Sequence, residues 1–457
     1  MPREGWIMTA TSPPASENPY LAGNFAPVTD EVTATDLPVT GHLPAELSGR
    51  YVRNGPNPAE PPEPQFYHWF VGDGMVHGIR IRDGRAAWYR NRWVRSAHVA
   101  KTLGEEPKGG PVHAGMDVAP NTNVIGHAGR TLAIVEAGAL PYELTYELDT
   151  VGPYDFGGTL PGGYTAHPKR DPLTGELHAV SYFWGWGNKV QYSVIDTGGQ
   201  LRKTVDIEVG GPVSVHDMSL TQAYAVIYDL PVVFSMEAAA SGARFPYRWD
   251  PSYHSRLGLL PREGTAAGVR WFDIEPCYVF HPLNAFDDGD DVVLDVIRHP
   301  RMFATQTLGP DEGAPSLERW TVQVSTGKVR EERLDDRGQE FPRIDERLVG
   351  RRHRFGYTAG FLSGEVSLMK HDFTRGTSQT RILRGAGGFS EPVFVPRHAD
   401  AAEDDGWVLS LVYDAGRDTS DLLVLEAGDL TGEPAAVVHL PQRVPFGFHG
   451  NWIPDET

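Results

Sequence analysis

Four of the seventeen histidines in this chain share a sequence context that could support chemistry. Each ends an apolar stretch and lies beside a turn-forming residue. The four are His167, His216, His281 and His449. Any one of them alone is more typical of a structural residue. Four buried histidines that meet without a metal, however, would each have to be held neutral and separately hydrogen-bonded.

The donor set restricts the metals that such a cluster would bind. Neutral imidazoles suit zinc, copper, iron or nickel, whereas calcium and magnesium require oxygen ligands. Structural zinc commonly uses cysteine, and the chain has a single cysteine, Cys277. An octahedral Fe(II) with four histidines would keep two open positions, enough for dioxygen and for contact with a substrate.

The spacing of the four histidines predicts the kind of fold that would bring them together. His167 and His216 are 49 residues apart, His216 and His281 are 65 apart, and His281 and His449 are 168 apart. The first two intervals are each about one blade of a β-propeller, and the third is about three blades. Equivalent positions on separate blades point at one axis, so the four imidazoles are expected to meet there.

A hairpin pattern recurs along the chain and supports this interpretation. Two alternating apolar runs flank a glycine-containing turn five times, and such turns are a strong hairpin signal. The five hairpins are predicted around residues 78–89, 192–207, 320–329, 368–382 and 422–438. Radial repetition protects sheet edges, so we expect an all-β propeller of six to eight blades. Two stretches break the pattern. Residues 107–122 are expected to form a loop, and residues 228–249 an inserted lid, with plain packing of a loop as the alternative.

Composition excludes several classes of function. The chain has 41 basic and 60 acidic residues and a net charge of −19, which argues against nucleic acid and against anionic membrane surfaces. One cysteine gives no disulfide framework, and no run of eighteen apolar residues occurs. We expect a cytoplasmic protein with a flexible leader over residues 1–20 and a single catalytic domain over residues 21–457.

Several longer motifs resemble those of the carotenoid cleavage oxygenases, a family with apocarotenoid-cleaving, stilbene-cleaving and retinoid-isomerising members. The resemblance extends from about Asn18 to Trp452 and includes the four histidine contexts. The other motifs are Gly49-Arg50-Tyr51-Val52-Arg53-Asn54-Gly55-Pro56-Asn57-Pro58, Phe70-Val71-Gly72-Asp73-Gly74-Met75-Val76-His77, Glu340-Phe341-Pro342-Arg343 and Ser390-Glu391-Pro392-Val393-Phe394-Val395-Pro396-Arg397. The resemblance implies a seven-bladed propeller with a lid of loops and short helices over an axial Fe(II) bound by the four histidines.

The resemblance also implies roles for residues around the iron. Glu136 would hydrogen-bond His216, Glu340 would bond His281 and Glu391 would bond His449, which leaves His167 without a carboxylate. Such a carboxylate fixes the orientation and tautomer of a metal-binding ring. Thr122 matches a position beside an open iron site, although threonine is also ordinary in a turn.

The implied reaction is oxidative cleavage of a carbon–carbon double bond, with dioxygen as co-substrate. Stilbene-cleaving relatives carry a lysine where this chain has Val135, so an apolar apocarotenoid or related isoprenoid is expected. Phe66, Trp69 and Phe70 are candidates to line the path of the substrate to the iron. The segment 230–249 is a candidate for shallow contact with a membrane. The alternatives are a stilbenoid dioxygenase and, in another class, a non-catalytic ligand-binding propeller. The oligomeric state is not predicted.

Overall fold

The chain folds almost entirely into β-strands. The computed structural model describes residues 18–109, 117–362, 365–383 and 386–455. The α-helices in these ranges are short, α1 at Ala97–Thr102 and α2 at Met236–Ala240. Neither they nor any other helix among the described residues is long and apolar enough to cross a membrane.

The strands are numbered in chain order. The first half of the chain contributes β1 Thr33–Thr35, β2 Val39–Gly41, β3 Gly49–Pro56, β4 Gly74–Arg82, β5 Arg85–Trp93, β6 Asn123–His127, β7 Arg130–Ile134, β8 Tyr142–Leu144, β9 Thr150–Pro153, β10 Lys169–Arg170, β11 Leu177–Tyr182, β12 Lys189–Ile195, β13 Leu201–Glu208, β14 Ser219–Leu220, β15 Tyr224–Asp229, β16 Val232–Phe234 and β17 Tyr247–Trp249. The second half contributes β18 Arg256–Pro261, β19 Arg270–Asp273, β20 Pro282–Asp288, β21 Asp291–Arg298, β22 Ser316–Gln323, β23 Lys328–Asp335, β24 Gln339–Arg343, β25 Phe355–Leu362, β26 Glu365–Asp372, β27 Thr377–Leu383, β28 Ala386–Phe389, β29 Val393–Pro396, β30 Gly406–Asp414, β31 Thr419–Glu426, β32 Ala436–His439 and β33 Gly450–Pro454.

Within the described ranges, and apart from the two-stranded ribbon β16-β17, these strands form seven antiparallel sheets, which are the blades of a propeller. Their strand orders are β1-β5-β4-β3-β33, β6-β7-β8-β9, β10-β11-β12-β13, β14-β15-β18-β19, β20-β21-β22-β23, β24-β25-β26-β27 and β2-β32-β31-β30-β28, with β29 also paired to β30. The predicted all-β, seven-bladed architecture is therefore confirmed.

All five hairpins expected from the sequence are present, as the pairs β4–β5, β12–β13, β22–β23, β26–β27 and β31–β32. The turn between β4 and β5 shows why the Asp-Gly pair in the sequence predicts a hairpin. Asp83 and Gly84 both have positive φ, 52° and 68°, as a tight hairpin turn with a right-handed twist requires. In these hairpins β4 and β12 are buried on both faces, whereas β13 alternates between partly buried and exposed residues.

Both ends of the described chain close the ring. The last strand, β33, pairs with β3 of the first blade, from Gly49 opposite Pro454 to Arg53 opposite Gly450. Near the start of the chain, β2 pairs with β32 of the last blade. The apolar C-terminal segment is thus an integral strand, and His449 immediately precedes it.

The hydrophobic core lies between the blades rather than in one central body. Trp320 and Trp407 are each fully buried in separate interblade clusters.

The expected insertion is present. Strands β16 and β17 form a two-stranded ribbon, with α2 between them, inserted between β15 and β18 of one blade. We call residues 230–249 the lid segment. Ser235 caps α2 by accepting a hydrogen bond from Ala238 N.

The predicted flexible leader is only partly covered, since residues 1–17 lie outside the described residues. Its last residues differ from the expectation. Asn18 is buried and donates to the carbonyls of Pro64 and Tyr67, and Tyr20 stacks on Trp69 at 5.6 Å. A side-chain amide with two backbone acceptors ties this end down.

Candidate active site

The structure brings the four predicted histidines together on the propeller axis. Three of them lie just before the first strand of successive blades, β10, β14 and β20, and the fourth lies just before β33. All four are buried, and one ligand nitrogen from each lies within 4.8 Å of the others. The Nε2 atoms of His167 and His216 are 3.0 Å apart, and those of His216 and His281 are 3.2 Å apart.

Three glutamates contact these rings in the pairing that the sequence predicts. His281 Nδ1 lies 2.6 Å from Glu340 Oε2, and His449 Nδ1 lies 3.0 Å from Glu391 Oε1. His216 Nδ1 is 2.7 Å from Glu136 Oε2, but this contact is poorly aligned for a hydrogen bond. Glu340 and Glu391 thus accept hydrogen bonds from ring Nδ1 atoms, and Glu136 faces the Nδ1 atom of His216.

Each glutamate is itself held by one further side chain. The Tyr182 hydroxyl donates to Glu136 Oε1 at 3.0 Å. His299 Nε2 lies 2.9 Å from Glu340 Oε1, and Arg343 Nη1 lies 3.0 Å from Glu391 Oε2.

These partners keep two of the buried carboxylates ionised. Burial alone would raise the pKa of Glu391, but Arg343 and His449 outweigh it and lower that pKa to about 2. For Glu340, burial is likewise outweighed by His281 and His299, and its pKa lies below the ordinary range.

The surroundings of two of the four rings favour the neutral imidazole, the form that binds a metal cation. Because the Nδ1 atoms of His216, His281 and His449 face the glutamates, the Nε2 atoms of these three rings are left to bind a metal. Burial lowers the pKa of His449 to about 4 and that of His167 well below its usual value, so two of the rings resist a second proton. Two nitrogens at right angles about an ion with bonds of about 2.1 Å would be about 3.0 Å apart. The observed spacings of 3.0 and 3.2 Å match that arrangement.

A cavity of about 1140 Å³ opens onto one side of the histidine cluster. Its wall is largely aromatic and aliphatic, and it includes four of the predicted residues, Thr122, Val135, Trp69 and Phe70. The aromatic rings of the wall contact one another: Phe70 lies 5.5 Å from Phe448 between ring centroids, and Trp69 lies 4.7 Å from Phe448.

Phe66 does not line this cavity, and the prediction for it is wrong. Its side chain is 54% exposed, in a turn where its backbone N–H bonds the carbonyl of Glu63. That turn directs Phe66 to solvent, while the 3₁₀ turn Trp69–Val71 carries the next aromatic residues inward.

Sequence reasoning also missed several residues of the site. The cavity wall includes Tyr182, Phe280, His299, Phe341 and Phe448. Tyr247 also lines it, with a buried hydroxyl that has no hydrogen-bond partner among the described residues. Phe280, Phe341 and Phe448 are each adjacent to a histidine or glutamate of the site, and that adjacency was the available signal.

The comparisons with known proteins agree with this geometry. A family model described as "Retinal pigment epithelial membrane protein" matches residues 25–454. The carotenoid cleavage oxygenase of Mycobacterium tuberculosis is 51% identical over 98% of this chain and 100% of the relative.

Two solved structures have the same fold along nearly the whole chain. The lignostilbene dioxygenase of Pseudomonas brassicacearum is 29% identical, with a TM-score of 0.86 over 96% of this chain and 98% of its own. A cobalt-substituted apocarotenoid oxygenase of Synechocystis is 26% identical, with a TM-score of 0.84 over 94% and 97%. These likenesses argue against a non-catalytic binding propeller. The chain therefore belongs to the carotenoid cleavage oxygenase family and is an enzyme of that family.

Proposed function

We propose that this protein is a non-haem Fe(II) dioxygenase that cleaves a double bond of an apocarotenoid or related isoprenoid to carbonyl products. One observation carries the proposal: four buried imidazoles form a cluster, and the three that are backed by glutamates line a large apolar cavity. His167, His216, His281 and His449 would hold the iron. The iron supplies the redox chemistry with dioxygen when bound, and the protein supplies binding, orientation and exclusion of water.

The aromatic wall would position the alkene. Phe280 lies beside the cluster, 5.1 Å from His216 between ring centroids, and Phe70 packs edge-on against it at 5.8 Å. Together with Phe448 and Trp69 these rings enclose the approach to the histidines. A conjugated chain held between them would be kept dry and fixed in place.

Thr122 is proposed to limit access beside the iron. It is buried in the cavity wall, and its hydroxyl donates to Asn121 Oδ1 at 2.9 Å. Because that proton is already engaged, Thr122 contributes bulk rather than a free donor at this place.

Two features support an apolar substrate. Val135 presents an aliphatic side chain to the cavity directly beside Glu136, where a stilbene-cleaving enzyme would carry a lysine to grip a phenol. The cavity volume of about 1140 Å³ also exceeds that of a typical pocket, about 300–1,000 Å³. A long polyene needs a cavity of this size.

A stilbenoid substrate is the second candidate, because the buried Tyr247 hydroxyl in the cavity has no protein partner among the described residues. A phenol of the substrate could bond to it. The test is incubation of the Fe(II)-reconstituted enzyme with apocarotenals and with hydroxystilbenes, followed by product masses. Aldehydes from the apocarotenals are expected, and aldehydes from the stilbenes alone would overturn the choice.

Collection of the substrate from a membrane is proposed through the lid segment. Within it Val232 is fully buried, but Met236 is 71% exposed. Trp184, at the cavity wall, stacks on Phe234 at 5.0 Å and is also exposed. Co-sedimentation with phosphatidylcholine vesicles should fall several-fold in a Met236→Glu variant, and unchanged binding would contradict this docking surface.

A further inference from the structure

A fourth carboxylate lies behind the histidine for which the sequence supplied none. Asp217 is buried, with its Oδ2 atom 3.7 Å from His167 Nδ1 and 2.7 Å from Lys169 Nζ. Its other oxygen, Oδ1, accepts the backbone N–H of Met218. Oδ2, which also accepts from Lys169, is therefore the oxygen that faces the histidine.

This arrangement repeats the pattern of the other three histidines. Each outer carboxylate faces one Nδ1 atom and is held by one further side chain: Tyr182 for Glu136, His299 for Glu340 and Arg343 for Glu391. Lys169 takes that place for Asp217. The four side chains differ chemically and come from different strands and loops. Their common feature is that each holds a carboxylate facing one of the four histidines.

We propose that Asp217, held by Lys169, is a positioning residue for His167. It directs the Nδ1 proton of that ring away from the axis, so that Nε2 presents its lone pair to the metal. At 3.7 Å the contact is longer than a hydrogen bond, and its action is electrostatic orientation of the ring and its tautomer. The inference rests on the proposed metal-binding function.

The competing explanation is that the pair only ties two blades together. Lys169 begins β10 in one blade, and Asp217 lies just before β14 in the next. An interblade ion pair would contribute to stability without affecting the metal. The two roles therefore differ in metal affinity.

The test is Co(II) affinity, measured by chelator competition and by the visible Co(II) spectrum of the full-length protein. The first variant is Asp217→Asn, which retains an oxygen for Met218 N and replaces the atom that faces His167. A loss of at least tenfold in affinity, with a changed spectrum, is expected.

The matched control is Asp295→Asn. Asp295 is equally buried and forms a 2.7 Å ion pair with Arg319, but it touches none of the four histidines. Its variant should lose thermal stability while its Co(II) affinity stays within threefold of wild type. An equal loss of affinity in the control, or affinity within threefold of wild type for Asp217→Asn, would overturn the proposal.

A second variant decides the question if Asp217→Asn does not fold. Lys169→Met leaves the carboxylate in place but removes its holder, and a loss of at least threefold in Co(II) affinity is expected. Unchanged affinity in that variant would likewise overturn the proposal. Failure of the underlying metal site would be seen separately, because the wild-type protein would then not bind one equivalent of Co(II).

Discussion

Glu340 should contribute more to metal affinity than Glu136, because it forms a well-aligned hydrogen bond with its histidine and Glu136 does not. Glu340 accepts from His281 Nδ1 at 2.6 Å, from His299 Nε2 at 2.9 Å and from the backbone N–H of Phe341. A Glu340→Gln change removes the charge and turns an amide donor toward one of these N–H groups. Loss of such an outer partner weakens metal binding by about 10–100-fold, or about 1.4–2.7 kcal/mol.

The same change at Glu136 should cost less. Its contact with His216 is short but poorly aligned, and the amide would still accept from Tyr182. We expect Glu340→Gln to lose close to 100-fold in Fe(II) affinity and Glu136→Gln about tenfold or less.

Anaerobic Fe(II) titration against a competing chelator measures both losses. A suitable control is Glu318→Gln, since Glu318 is buried and bonds Ser316 and Trp320 Nε1 away from the histidines. Its Fe(II) affinity should stay within threefold of wild type. The reasoning is refuted if Glu340→Gln also stays within threefold, or if Glu136→Gln loses more than Glu340→Gln.

Four further outcomes follow from the structure. Val135→Lys places an ammonium in the apolar cavity and should lower apocarotenal turnover at least tenfold by product analysis; unchanged turnover would remove Val135 from the substrate path. Deletion of residues 450–457 removes β33 and should lower the thermal midpoint and iron content together, whereas retention of both would contradict closure by this strand. Trp320→Ala should cost about 3–5 kcal/mol in denaturant unfolding, and a cost below about 1 kcal/mol would contradict its core position. Burial opposes ionisation of Asp295, but Arg319 and His353 outweigh burial and lower its pKa. The ionised Asp295 therefore stabilises the fold above the ordinary aspartate pKa, and this contribution is lost as the pH falls. In thermal melts Asp295→Asn should reduce the fall in melting temperature on the acid side, and an unaltered dependence of melting temperature on pH would contradict this role.

The sequence was most informative where the fold repeats. His167, His216 and His281 each lie just before the first strand of a blade, so the intervals of 49 and 65 residues between them reflect the length of one blade. The hairpin turns were readable for a similar reason, since residues such as Asp83 and Gly84 adopt backbone angles that few residues tolerate.

Features set by contacts between distant segments could not be predicted. Asp217 follows His216 in sequence, yet it faces His167 of the neighbouring blade, and no local pattern encodes that pairing. Phe66 and Trp69 are both aromatic and only three residues apart, but a turn separates an exposed ring from a buried one. The sequence places Asn18 in a flexible leader. Its two hydrogen-bond acceptors lie more than 40 residues away along the chain, so no local pattern reveals that it is held.

The central claim is that four histidines on the propeller axis hold the iron of a double-bond-cleaving enzyme. Iron content after anaerobic Fe(II) reconstitution tests it most directly, with the wild-type protein and a His281→Ala variant measured side by side. The account predicts one equivalent of iron in the wild type and loss of both iron and turnover in the variant. Less than half an equivalent in the wild type, or full turnover by His281→Ala, would contradict it.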